Sequence, residues 1–141
     1  MASEKIAQKK LELDKAIISF SNSLKIDFLN LDEVTADTVK NGQIQKFEYT
    51  VELLWKSLKT LSKETGIDLN SPKSVFKHAF TFSNLTDKEK ELALEMIDDR
   101  NKIAHEYKDY IMNVIYPKLK NYVELIKKIS EIKIYYTNST N

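Results

Sequence analysis

The sequence predicts an all-α protein: an up-and-down four-helix bundle with one extra short helix. Three observations carry that reading. The 141 residues contain only two Gly and two Pro, and sheets, sandwiches and barrels consume these residues in their turns. Apolar residues recur at steps of three and four along most of the chain, the spacing of one helix face. Helix-start signals stand at Ser71-Pro72 and at Thr86-Asp87-Lys88-Glu89. The length fits one domain able to bury a real core, expected over residues 1–135, with 136–141 a frayed tail.

The first helix is expected from Ser3 to Leu29, on a stripe of Leu13, Ile17, Phe20 and Leu24. The second shows the clearest seam: Ile44, Phe47, Val51, Leu54, Leu58 and Leu61. It stops at Thr65-Gly66, where Gly accepts the left-handed conformation that closes helices. Trp55 lies one residue past this seam, either as core or as a mark of a partner surface. Ser71 as N-cap and Pro72 at the first helical position open the short helix, whose inner face is Val75, Phe76, Ala79 and Phe80. Thr86 and Glu89 form a capping box for the next helix, with Leu92, Met96 and Ile97 turned inward. The last long segment runs from Asp109 to Ile134 on Ile111, Ile115, Leu119, Tyr122, Ile126 and Ile129. Pro117 interrupts it and should kink or restart it.

Composition excludes several chemistries. With no Cys, there is no disulfide scaffold, thiol nucleophile, iron–sulfur cluster or Cys-based zinc site. His78 and His105 cannot make a three-histidine zinc site, so neither a metal nor a cofactor is expected. Two glycines cannot build a P-loop or a dinucleotide fingerprint. The net charge of +1 gives no overall nucleic-acid footprint. The charge is uneven: residues 27–38 carry Asp27, Asp32, Glu33 and Asp37 with no base, and Lys dominates from 118 onward. Both stretches read as solvated faces. No apolar leader follows Met1, and no run reaches the ~18 apolar residues of a membrane span. A cytoplasmic protein is expected.

The stretch Asp98-Asp99-Arg100-Asn101-Lys102-Ile103-Ala104-His105-Glu106-Tyr107 carries the chemistry. Arg100 follows Met96 by four residues and Ala93 by seven, so a cation shares the apolar stripe. Such a charge is costly unless it is paired or faces a cleft. Glu48 and Glu52, flanking the seam of the second helix, are candidate partners in a purely structural ion pair. His105 lies roughly 140° around an ideal helix from Arg100. The two meet only if the helix ends between them, or if a second copy supplies its own pair. The plain alternative for His105 is capping of a helix end. His78 reads as a surface or boundary residue.

Arg100 to Tyr107 resembles the R-x4-H-x-Y motif of HEPN-domain proteins. The likeness extends to Ile44-Gln45-Lys46-Phe47-Glu48-Tyr49-Thr50, to Glu52-Leu53-Leu54-Trp55-Lys56 and to Ser71-Pro72-Lys73-Ser74-Val75-Phe76-Lys77. These blocks resemble the nucleotidyltransferase substrate-binding branch of that superfamily, over roughly residues 5 to 130. The resemblance implies a small helical homodimer that works beside a minimal nucleotidyltransferase. In HEPN toxins the Arg and His are similar to a metal-independent ribonuclease site spanning the dimer. Carried over, His105 would be the general acid/base on RNA and Arg100 would hold the scissile phosphate. Asn101 and Lys102 would support phosphate binding, and Tyr107 would be the residue that the transferase adenylylates. The leading expectation is therefore a toxin, an endoribonuclease neutralised by its transferase. The alternative is a non-catalytic substrate-binding subunit of that enzyme, and a third reading is a plain dimerisation module. The chain is not the transferase itself, since it contains no Gly-Ser turn. Acidity at Asp98, Asp99 and Glu106, against Lys102 and Lys108, is the feature that bears on RNA binding.

Overall fold

The computed structural model describes residues 2–135, so the expected tail at 136–141 lies outside the described residues. The elements are α1 (Ala2–Ser23), α2 (Glu33–Glu64), α3 (Pro72–Phe80), α4 (Asp87–Ile103), α5 (Lys108–Tyr110) and α6 (Leu119–Ser130). A π-helical turn (Ile111–Ile115) and a 3₁₀ turn (Tyr116–Lys118) join α5 to α6. Helices α1, α2, α4 and the α5–α6 column form the bundle, and α3 is the short extra helix. No strand occurs among the described residues.

Side-chain bonds fix the register. Gln43, Lys46 and Thr50 of α2 donate to the Ser23 carbonyl (2.6 Å), Ser19 Oγ (2.6 Å) and the Ala16 carbonyl (3.5 Å). Rising numbers on α2 meet falling numbers on α1, so the two helices run antiparallel. Likewise Glu89 pairs with Lys128 at 2.6 Å and Asp99 with Lys118 at 3.1 Å, which sets α4 antiparallel to α6.

The seam of α2 is the spine of the core. Ile44, Phe47, Val51, Leu54 and Leu58 are buried, while Leu61 is partly buried against them. Phe47 stacks on Tyr122 with ring centroids 5.5 Å apart and 13° between planes, and it tilts against Phe20 at 6.0 Å. Phe20, Leu13 and Ile17 of α1, Met96 and Ile97 of α4, and Leu119, Ile126 and Ile129 of α6 complete this interior.

The caps follow the sequence. Ser71 and Thr86 each accept from the backbone N–H three residues on, and the side chains of Ser74 and Glu89 return the bond. Asp32 accepts from Thr35 N–H and caps α2, so part of the acidic 27–38 stretch starts a helix. Gly66 takes φ +89° just after α2. Gly42, inside α2, has open space where a Cβ would stand. The two Ala substitutions should therefore act in opposite senses. Gly66→Ala should destabilise by about 1 kcal/mol through backbone strain, and Gly42→Ala should stabilise by about 0.5–1 kcal/mol through helix propensity. Paired urea melts would show this, and same-sign shifts would contradict it.

Two helix ends differ from the sequence expectation. Helix α1 stops at Ser23 rather than Leu29. Beyond Leu24 the backbone closes i→i−3 turns (Lys25 to Asn22, Ile26 to Ser23), and the Asp27 carboxylate takes the Leu29 N–H at 2.9 Å. Side-chain capping of this kind competes with helix continuation, and Leu29 is left 83% exposed. The last helix ends at Ser130 rather than Ile134, although Ile132 and Ile134 stay buried in the non-helical segment that follows. Pro117 disrupts the column as expected. Its ring would collide with the carbonyl four residues earlier, and the widened turn at Ile111–Ile115 relieves that clash.

Candidate functional site

The candidate residues gather where α4 ends. Arg100 is in the last turn of α4, Asn101 and Lys102 follow on exposed faces, and the helix stops at Ile103 with Ala104 as C-cap. His105, Glu106 and Tyr107 occupy the turn before α5. The His105 and Glu106 N–H groups both donate to the Lys102 carbonyl, at 2.9 and 2.8 Å. These bonds tie the turn to the helix end and leave the His105 ring exposed. Tyr107, at 88%, is the most exposed large apolar side chain among the described residues. The helix does end between Arg100 and His105. No hydrogen bond joins the two among the described residues.

Arg100 is instead engaged by α2. Its Nη1 lies 3.5 Å from Glu48 Oε2, with both side chains about a quarter exposed (27% and 28%). The guanidinium Nε is buried without a hydrogen-bond partner. Glu52, one turn further along α2, accepts from Trp55 Nε1 at 3.1 Å and from Lys56 at 3.1 Å. Partial burial pushes its carboxyl up. The Trp55 and Lys56 hydrogen bonds, with the charges of Lys56 and Arg100, outweigh that and hold it below the usual Glu value. Trp55 is half-buried, with Lys59 Nζ 6.0 Å from its ring centroid. Its indole N–H thus fixes Glu52.

The acidic residues flanking Arg100 are not free surface charge. Asp98 pairs with Lys73 of α3 at 2.7 Å. Asp99 is 1% exposed and points into the bundle. It accepts from Tyr122 Oη at 2.5 Å and Lys118 Nζ at 3.1 Å. The expected acidity around Arg100 therefore reduces to Glu106 and the two α2 carboxylates. The sequence reading passed over this buried network. One signal for it existed: a Tyr on the core seam of the last helix needs a polar partner, and Asp99 sits one turn after Met96 on the inner face.

The same network gives an alkaline limit. Burial, reinforced by Asp99, pushes the Tyr122 phenol well above its ordinary 10.0. For Lys118, desolvation works downward, but the hydrogen bond and charge of Asp99 carry it above 10.5. Both groups are held protonated by folding. Their contribution is full below their unfolded values and is lost as pH rises through the folded ones. Stability should therefore fall above about pH 10, and Tyr122→Phe should flatten that fall. Denaturant midpoints from pH 8 to 11 would measure it, and equal slopes for both proteins would contradict it.

Further out, Lys102 Nζ reaches Tyr110 Oη at 3.4 Å, which with the phenol's charge raises the Lys102 pKa. Lys108 pairs with Asp37 at 2.8 Å and ties the end of the α4–α5 turn to α2. His78 is a boundary residue whose Nδ1 lies 2.9 Å from buried Ser62 Oγ. Among the described residues no group of three His, Asp or Glu could hold a metal ion, and no helix is long and apolar enough to cross a membrane.

The family model described as nucleotidyltransferase substrate binding protein like matches residues 8–132. The chain belongs to that family. The match spans the α2 seam, Glu48, Glu52 and the whole α4–α5 turn. A crystal structure of a protein from Thermus thermophilus has a similar fold, with a TM-score of 0.68 and 30% identity over 83% of this chain and 94% of that one. No curated protein matches the chain. For a substrate-binding-like protein the site has a recognisable layout. A half-buried cation pairs with Glu48 of α2, beside a turn that presents an imidazole and a phenol to solvent.

Proposed function

We propose that the chain is the non-catalytic partner subunit of a minimal nucleotidyltransferase. It docks through the end of α4 and offers the Tyr107 hydroxyl as acceptor of an AMP group. The observation that carries this reading is the 88% exposure of Tyr107 in a turn tied down at both ends. An aromatic ring so far from the core contributes nothing to folding, and its hydroxyl is open to a second protein. The phenolic oxygen would attack the α-phosphorus of ATP bound by the transferase. The α–β bridging bond breaks, pyrophosphate leaves, and the phenolic proton passes to a base on the transferase. The placement of Arg100 favours this reading over ribonuclease chemistry, because its contact is with Glu48 of α2 and no hydrogen bond joins it to His105 among the described residues.

The test is co-expression with a minimal nucleotidyltransferase encoded beside the chain. A stable complex and a mass increase of one AMP on wild type, absent from Tyr107→Phe, support the proposal. Failure to co-purify, or AMP on Tyr107→Phe as well, overturns it.

A second reading, the HEPN-type toxin, is favoured by the end of α4 at Ile103, which frees His105, Asn101 and Lys102 at one exposed corner. In a homodimer, His105 of one copy would serve as acid/base beside Arg100 of the other. Growth arrest and RNA cleavage on expression of wild type, but not of soluble His105→Ala, would establish it. Intact RNA with both proteins folded would remove it.

A further inference from the structure

Glu48 and Glu52 stand four residues apart on one face of α2; Glu48 pairs with Arg100, and the Arg100 charge also reaches Glu52. Like charges at this spacing repel one another, and Arg100 beside Glu48 with Lys56 beside Glu52 offsets that repulsion. The two carboxylates are held differently. Glu52 is anchored by Trp55 and Lys56, both at 3.1 Å. For Glu48, Arg100 is the side-chain partner, through one nitrogen at 3.5 Å. A guanidinium binds an oxyanion best through two parallel N–H bonds at about 2.7–2.9 Å. The contact to Glu48 is longer than that and single-pointed. Arg100 Nε makes no hydrogen bond at all, although it is buried. The guanidinium is thus held by one long contact while its buried Nε lacks a partner, and a buried unpaired donor is costly.

We propose that Glu48 is a displaceable counter-ion that sets which oxyanions Arg100 accepts. This deepens the reading of the α4 end as a nucleotide-handling site and rests on it. A phosphoryl group carrying two negative charges can engage two guanidinium nitrogens and displace Glu48. A lone carboxylate offers no more charge than the Glu48 it must replace. Glu52 stays in place, because its own hydrogen bonds do not depend on the guanidinium. Glu48 is therefore a specificity-determining residue that selects for phosphoryl over carboxylate ligands.

The experiment is calorimetric titration of the purified chain with inorganic pyrophosphate and, separately, with acetate. Wild type, Glu48→Gln, Arg100→Ala and the double variant are compared at one fixed ionic strength. Glu48→Gln should bind pyrophosphate about tenfold more tightly, a change of about 1.4 kcal/mol. It should also gain measurable acetate binding, and both gains should vanish in the double variant. Unchanged pyrophosphate affinity in Glu48→Gln overturns the proposal. So does an equal gain in the Arg100→Ala background, which would mark a general charge effect. Should Glu48→Gln melt well below wild type, Glu48→Asp retains the charge and withdraws it by one methylene. It should then show a smaller gain of the same sign, and no gain overturns the proposal. The titration uses no transferase, so the failure of Tyr107 to accept AMP leaves its outcome readable.

Discussion

Asp99→Ala should lower the melting temperature by about 10 °C, whereas Arg100→Ala, its neighbour, should lower it by only a few degrees. Asp99 is buried at 1% and accepts from Tyr122 and Lys118. Its loss leaves a buried phenol donor unsatisfied and removes the strongest partner of a half-buried cation. Each such loss costs about 1–3 kcal/mol, and together about 3 kcal/mol. For a chain of this size that is a shift of roughly 10 °C. Arg100 makes one 3.5 Å contact with a carboxylate that reaches solvent, and exposed or half-exposed pairs are worth about 1 kcal/mol or less. One alternative from the sequence runs the other way, with Arg100 in a structural ion pair and Asp99 read only as local acidity. Thermal melts of the two variants decide the matter: a larger loss for Arg100→Ala would show that the Asp99 network is not the stabilising one. Asp99→Asn, which keeps an acceptor, should fall between wild type and Asp99→Ala.

Phe47→Ala should be more damaging still, at about 3–5 kcal/mol. Phe47 is fully buried between Phe20 of α1 and Tyr122 of α6. Truncation opens a cavity at the junction of three helices and removes the ring that Tyr122 stacks on. The neighbouring side chains are themselves large and hold their positions in three different helices, so collapse into the space is limited. The urea midpoint should fall while its slope stays near that of wild type, because the surface exposed on unfolding is almost unchanged. A loss below about 1.5 kcal/mol would mean that the bundle relaxes around this position. Phe47→Ala and Asp99→Ala both meet at Tyr122. Their double variant should therefore lose less than the two single losses added together.

The helices were legible because their information is local. Three-and-four periodicity, two N-caps with their return bonds, and a closing Gly are read within a few residues of each helix. Only side chains within one turn are needed to make them work. The candidate site was half legible. Arg100 on an apolar stripe demanded a partner, and the only acids flanking the α2 seam were Glu48 and Glu52. That inference needed periodicity on two helices and nothing more.

Three matters were decided by the tertiary structure. The inward turn of Asp99 depends on Tyr122 and Lys118 arriving from a helix about twenty residues away, and no local pattern encodes that meeting. At the end of α1, Gln43 of α2 takes the Ser23 carbonyl, a bond across twenty residues that the apolar stripe continuing to Leu24 does not foretell. The asymmetry between Glu48 and Glu52 depends on Trp55 reaching back along α2 while Arg100 approaches from α4. By itself the sequence determined the helices, their order and the residues able to carry charge chemistry, because each of these is a property of neighbours along the chain. Which charge is buried, which is held weakly enough to be exchanged, and which phenol faces solvent belong to the fold, because burial is set by segments that meet only when the bundle closes.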